Sequence, residues 1–262
     1  MRLTIFIGAL SILWLPLALA IYWLLREDSN LASILTMVLL FVELLFLWSW
    51  WGKSVHGEDN IYQQFGLVKS KRNIQEFFQG LAIGFWLCLS LFLTEALLGW
   101  IKVIDPTVSI VRVVLEGLLS ATGIALAEEL LFRGWLLDEL QRDYGKKVCI
   151  WTTAIAYAVA HFLKPIAEIM RTAVTFPALI LLGIALVLAK GKYGDRLGIC
   201  IGIHAGLVWA YYIVNVGQLI EYTNKVPVWI TGIDGNPIAG VMGLWFLLGL
   251  TWMVASTNNR CM

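Results

Sequence analysis

Long apolar stretches separated by short polar ones run through almost the entire chain. Windows of about 18 to 25 predominantly apolar residues, the length a helix needs to cross a bilayer core, fall near 3–25, 31–52, 78–101, 110–137, 148–164, 172–190, 197–220 and 238–256. The pattern predicts an all-α fold, a polytopic membrane helix bundle with about eight transmembrane helices, the fifth being the shortest. Ala18-Leu19-Ala20 imitates a signal-peptide cleavage site, but the apolar run continues through Leu25, longer than an ordinary signal core, so a retained helix is expected. The longest polar stretch, Gly52 to Glu76, divides the chain into residues 1–77, two helices and a cytoplasmic loop, and residues 78–262, a six-helix core.

Composition agrees with the pattern. With 60% apolar and 14% charged residues, the 262-residue chain is not a soluble globular domain, and its surroundings are the lipid bilayer. A net charge of +1 gives no reason to expect a nucleic acid or an acidic partner. The distribution of charge says more. With eight spans, twelve basic residues (Arg2, Lys53, Lys69, Lys71, Arg72, Arg142, Lys146, Lys147, Lys190, Lys192, Arg196 and Arg260) fall on the side of the amino terminus. Six (Arg26, Lys102, Arg112, Lys164, Arg171 and Lys225) fall on the other, which places both termini in the cytoplasm. Glycines at 183, 198, 202, 206, 240 and 243 recur in the last three spans, where small residues let helices approach closely. Cys88, Cys149, Cys200 and Cys261 are isolated, with no Cys-x-x-Cys pair, and packing is their expected role.

Charge inside the apolar runs is the departure from this picture. Glu128, Glu129 and Arg133 lie together in the fourth run, where each ionisable group costs at least roughly 2.5 kcal/mol to insert. Glu129 and Arg133 stand at i and i+4 with the acid on the amino-terminal side, the better orientation for a pair. Glu128 is turned about 100° away, off the Arg133 face. The expected division is therefore Glu129 with Arg133 as a structural pair and Glu128 as an unpaired carboxylate suited to general-base chemistry. His161 and His204 sit in later apolar runs. At about 1.5 Å per residue, Glu128, His161 and His204 lie roughly 15, 20 and 11 Å from the cytoplasmic ends of their helices, compatible with one shared cavity. A carboxylate and two imidazoles there can activate water, bind a metal or stabilise an oxyanion.

These residues carry a family resemblance. Glu128-Glu129-Leu130-Leu131-Phe132-Arg133 matches the E-E-x-x-x-R motif of the CPBP family, the type II CAAX prenyl proteases and bacteriocin-processing enzymes also called the Abi family. Tyr157-Ala158-Val159-Ala160-His161 resembles its second motif, F-x-x-x-H, with Tyr for Phe. His204-Ala205-Gly206-Leu207-Val208 resembles its third, H-x-x-x-N, with Val208 where the family often has Asn or Asp. Similarity extends through Phe176-Pro177-Ala178 and Gly194-Asp195-Arg196-Leu197-Gly198, over about residues 80–215. The resemblance implies an eight-helix intramembrane glutamic endopeptidase in which Glu128 and His161 activate water, His204 holds the oxyanion, and Glu129, Arg133 and Tyr157 support them. Tyr211, at i+7 from His204 and so on the same stripe, or Tyr212, is the candidate to replace the missing Asn as second oxyanion donor. The favoured chemistry needs no cofactor; the alternative is a zinc site on Glu128, His161 and His204. The substrate would be a membrane-associated, prenylated or leader peptide. The Gly-Asp-Arg-Leu-Gly and His-Ala-Gly-Leu-Val-Trp stretches look like the cyanobacterial and plastid branch, implying a plasma or thylakoid membrane.

Two other classes of function compete. Val208 favours a non-catalytic relative acting as an immunity or scaffold protein. Glu43, Glu95 and Glu116 would add acidic sites along the path of a proton-coupled transporter, although the chain has no clear internal repeat to support one.

Overall fold

The computed structural model describes residues 2–256; Arg260 and Cys261, read above for charge and packing, lie outside them. The chain divides into two compact units, Met1–Gln64 and Phe65–Met262.

In the first unit, α1 (Arg2–Leu24) packs against α2 (Ser29–Trp51). The turn between them is set by Asp28, whose carboxylate accepts the Leu31 backbone N–H at 2.9 Å and caps α2. The indole of Trp14 donates to the Thr36 carbonyl at 3.0 Å, tying the pair midway. The helix continues as a π-helical turn, Gly52–His56, that stops at Gly57 with φ 70°, and a short α3 (Ile61–Gln64) follows. Ile12, Trp23, Met37 and Phe46 remain exposed, as expected of helices that face lipid rather than water.

The second unit contains α4 (Lys71–Leu97), α5 (Ile110–Glu129), α6 (Leu137–Gln141), α7 (Lys146–Ala160), α8 (Ile166–Thr172), α9 (Phe176–Lys192), α10 (Gly198–Val216), α11 (Val228–Thr231) and α12 (Val241–Ser256). A π-helical segment, Leu130–Leu136, joins α5 to α6 without a break. Across both units, six helical segments of the described residues are long and apolar enough to cross a membrane: Arg2–Leu24, Ser29–His56, Lys71–Leu97, Ile110–Gln141, Ile166–Lys192 and Gly198–Val216. The protein is an all-α polytopic membrane bundle. Helices also occupy the other two expected stretches, but α7 has 15 residues and α12 has 16. They reach only about 22–24 Å at a helical rise, less than a hydrocarbon core of about 30 Å. α7 ends at Ala160 with His161 as its cap, and Pro165 keeps the chain from resuming a helix before α8.

Two strands that the apolar pattern did not suggest, β1 (Ile101–Val103) and β2 (Ile220–Tyr222), pair antiparallel with Ile101 opposite Tyr222. They lie where two apolar runs were expected to end. The helices stop sooner because Gly99 (φ 72°) and Gln218 (φ 51°) turn the chain into left-handed geometry. The strand pair thereby ties the ends of α4 and α10, the most extensively packed pair among the described residues.

That packing is made by glycine. A Cβ on Gly84 would stand 2.1 Å from the Ile203 carbonyl oxygen, and one on Gly202 2.1 Å from that of Phe77, so backbone meets backbone along the contact. The start of α10 is fixed as firmly. The Gly198 N–H donates to Asn73 Oδ1 at 2.8 Å, the Leu197 N–H to the Gly66 carbonyl at 2.9 Å, and Arg196 grips Glu76 of α4 through both oxygens, with Nε to Oε2 at 2.7 Å. The Gly194-Asp195-Arg196-Leu197-Gly198 stretch is thus the anchor that sets the register of the helix carrying His204.

Candidate active site

Glu128 and Glu129 end α5, and Arg133 lies in the π-helical segment beyond it. Wide π turns are common at functional sites because they re-aim side chains without ending the helix. Arg133 Nη1 donates to Glu129 Oε1 at 2.9 Å, with both side chains fully buried. The i, i+4 pair expected from helical spacing is present. Arg133 is held further by a contact of Nη2 to the Gly183 carbonyl at 3.4 Å and by the Tyr157 ring, whose centroid lies 4.2 Å from the guanidinium carbon. A buried lysine completes the support. Lys190 Nζ donates to the Arg133 carbonyl at 2.6 Å, satisfying a backbone oxygen of the π segment.

His204 joins this network from α10. Its Nδ1 lies 2.9 Å from the same Glu129 Oε1; a carboxylate only accepts, so Nδ1 carries the hydrogen and Nε2 is turned elsewhere. His161, at the C-terminal end of α7, is oriented by the same logic. Its Nδ1 donates to the Tyr157 carbonyl at 2.9 Å, and its ring lies edge-on to Tyr157 with centroids 4.6 Å apart. Both histidines therefore point Nε2 at one atom. Glu128 Oε2 is 3.8 Å from His161 Nε2 and 3.9 Å from His204 Nε2. That oxygen is buried and no protein donor reaches it. Both separations lie just beyond hydrogen-bond range.

The histidines open onto a cavity of about 200 Å³, walled by leucines of α4, α9, α10 and α12 and reached also by Val208, Tyr211 and Asn236. Glu128 and His161 side chains are about a third exposed, 29% and 32%, whereas Glu129 is fully buried. The unpaired acid is accessible and the paired one is structural material.

The structure thus brings Glu128, Glu129, Arg133, Tyr157, His161 and His204 into one cluster, with Tyr211 on the wall of the adjoining cavity. Glu95, Glu116 and Glu43 are not part of it. Glu116 pairs with Arg112 on the outside of α5 at 2.7 Å, Glu95 is buried in α4 away from the cavity lining, and Glu43 belongs to the first unit. Lys190 and Asn236 were missed from sequence. Lys190 looks like an ordinary cytoplasmic-end lysine, and Asn236 sits in a polar loop whose folding back toward α10 has no local signal. For the zinc alternative the test is whether Glu128, His161 and His204 form a donor set. Among the described residues no group of three or more His, Cys, Asp or Glu side chains is arranged to hold a metal ion, so no step below is routed through one.

Fold and cluster together define a multi-pass membrane protein with an ordered Glu/His/Arg centre beside an apolar cavity. Residues 110–210, which contain the whole of that centre, match the family model described as Type II CAAX prenyl endopeptidase Rce1-like. Comparison with curated proteins and with solved structures gives no match.

Proposed function

We propose that the chain is an intramembrane glutamic endopeptidase that hydrolyses a peptide bond of a membrane-associated substrate using a water held by Glu128 and His161. The observation that carries this reading is the convergence of two Nε2 atoms, at 3.8 and 3.9 Å, on a Glu128 oxygen that has no protein donor. Glu128 takes a proton from the water as the oxygen bonds to the scissile carbonyl carbon. The carbonyl oxygen, now negative, accepts a hydrogen bond from His204 Nε2, whose ring is fixed by Glu129 through Nδ1. Collapse breaks the C–N bond, and the proton held by Glu128 passes to the leaving amine. His161 Nε2 positions the water and shares its proton. Arg133 and Tyr157 act on Glu129 and on the His161 backbone anchor, so they are positioning residues, and Tyr211 lines the cavity as a hydroxyl donor beside His204.

The mechanism runs without metal or cofactor: strong chelation leaves turnover unchanged, and elemental analysis of active protein finds no stoichiometric zinc. The direct test uses the purified full chain in vesicles with a pooled library of transmembrane and lipid-anchored peptides in ¹⁸O-water. Wild type releases fragments carrying ¹⁸O in the new carboxylate, and Glu128→Gln and His161→Ala release none. Fragment release by Glu128→Gln equal to wild type overturns the proposal.

A further inference from the structure

The oxyanion site as described has one nitrogen donor, His204, and the wall of α10 next to it is apolar at Val208. The cavity contains one further side-chain amide. Asn236 reaches it from the loop between α11 and α12, a separate element from every residue of the Glu/His/Arg centre. Its Oδ1 is committed, accepting the Ile238 backbone N–H at 3.2 Å in the cap of the Pro237–Ala239 turn. An amide with its oxygen locked in this way has a fixed orientation, and what it has left to offer is the two hydrogens on Nδ2.

The loop is built to hold that orientation. Gly232 (φ 119°), Asp234 (φ 56°) and Gly235 (φ 68°) place three left-handed residues in four positions, a path that folds the chain back sharply before Asn236. Asp234 is ion-paired with Arg171 of α8, which also grips Glu168 through Nη2 at 2.7 Å. Behind the loop, Gly243 of α12 packs on the Pro237 carbonyl, where a Cβ would stand 2.0 Å away.

We infer that Asn236 is an oxyanion-binding residue: its Nδ2–H donates, with His204 Nε2–H, to the oxygen of the tetrahedral intermediate, giving the site a second nitrogen donor from a different element. This rests on the endopeptidase reading above. Both donors are then preorganised by contacts outside the cavity, Glu129 behind His204 and the Ile238 N–H behind Asn236, which is the arrangement that makes such donors effective.

The test uses the same vesicles and peptide library. Asn236→Asp keeps an oxygen for the Ile238 cap and removes the donor, so kcat falls about 10²-fold, the scale of one lost oxyanion donor, while KM changes less than about threefold. Val208→Asn puts an amide one helical turn from His204 on the cavity wall. Added to Asn236→Asp, it recovers at least about tenfold in kcat if the lost function is donation. A loop that merely needed Asn236 for folding would show a lowered melting temperature and no such recovery. Wild-type kcat in Asn236→Asp, or a loss that appears entirely in KM, overturns the assignment while leaving the endopeptidase reading in place. Wild type no more active than Glu128→Gln overturns both.

Discussion

Glu129 gives one oxygen to both Arg133 and His204 from a fully buried position, so Glu129→Gln leaves a buried guanidinium without its counter-charge. The expected loss is about 3–5 kcal/mol, seen as a lower melting temperature and poorer yield before any question of activity arises. Glu128→Gln behaves in the opposite way. It swaps a donorless carboxylate for a neutral amide of the same shape, so the melting temperature stays within a few degrees while turnover vanishes. A stable Glu129→Gln beside an unstable Glu128→Gln would reverse the roles assigned to them. The Glu129–Arg133 pairing was legible in the sequence because a helix fixes the angular relation of residues four apart. The bond between Glu129 and His204 was not, since it joins positions 75 apart and depends on how α10 is set against α5.

At the scale of elements, the glycine seam between α4 and α10 decides where His204 stands. The recurrence of glycine in the later apolar runs pointed to close helix contacts, but their partner, the Gly80 and Gly84 face of α4, appears only in the fold. A methyl group on Gly84 would press on the Ile203 carbonyl, one residue before His204. Gly84→Ala should therefore cost about 1–3 kcal/mol of stability or more and reduce turnover in proportion to the displacement. Gly123→Ala is the control, because a Cβ there meets nothing within 4 Å and alanine is the better helix former. Thermal melts of the two variants check this; equal melting temperatures would mean that the seam is not tight. The π turn at Leu130–Leu136 had no sequence signal, because its residues are mostly ordinary helix formers.

For the whole molecule, the apolar runs predicted the class of fold and the position of the long helices, but not the short α3, α8 and α11. Their lengths predicted less, since α7 and α12 are cut short by turns that hydropathy does not register. Orientation follows from charge. Twelve basic residues on one side against six on the other lead us to propose that both termini face the cytoplasm. Reporter fusions at either end should then be active only in the cytoplasmic form, and a reporter after Lys225 only in the exported one; the reverse pattern would invert the bundle.

The central claim, that Glu128 activates the water of peptide hydrolysis, is tested most directly in the membranes of cells making either the wild type or Glu128→Gln at equal level, by mass spectrometry of newly formed protein amino termini. The account predicts a small set of new termini from membrane-associated proteins that is present with the wild type, absent with Glu128→Gln, and matched by accumulation of the uncut precursors. Identical sets of termini from both cells would contradict it.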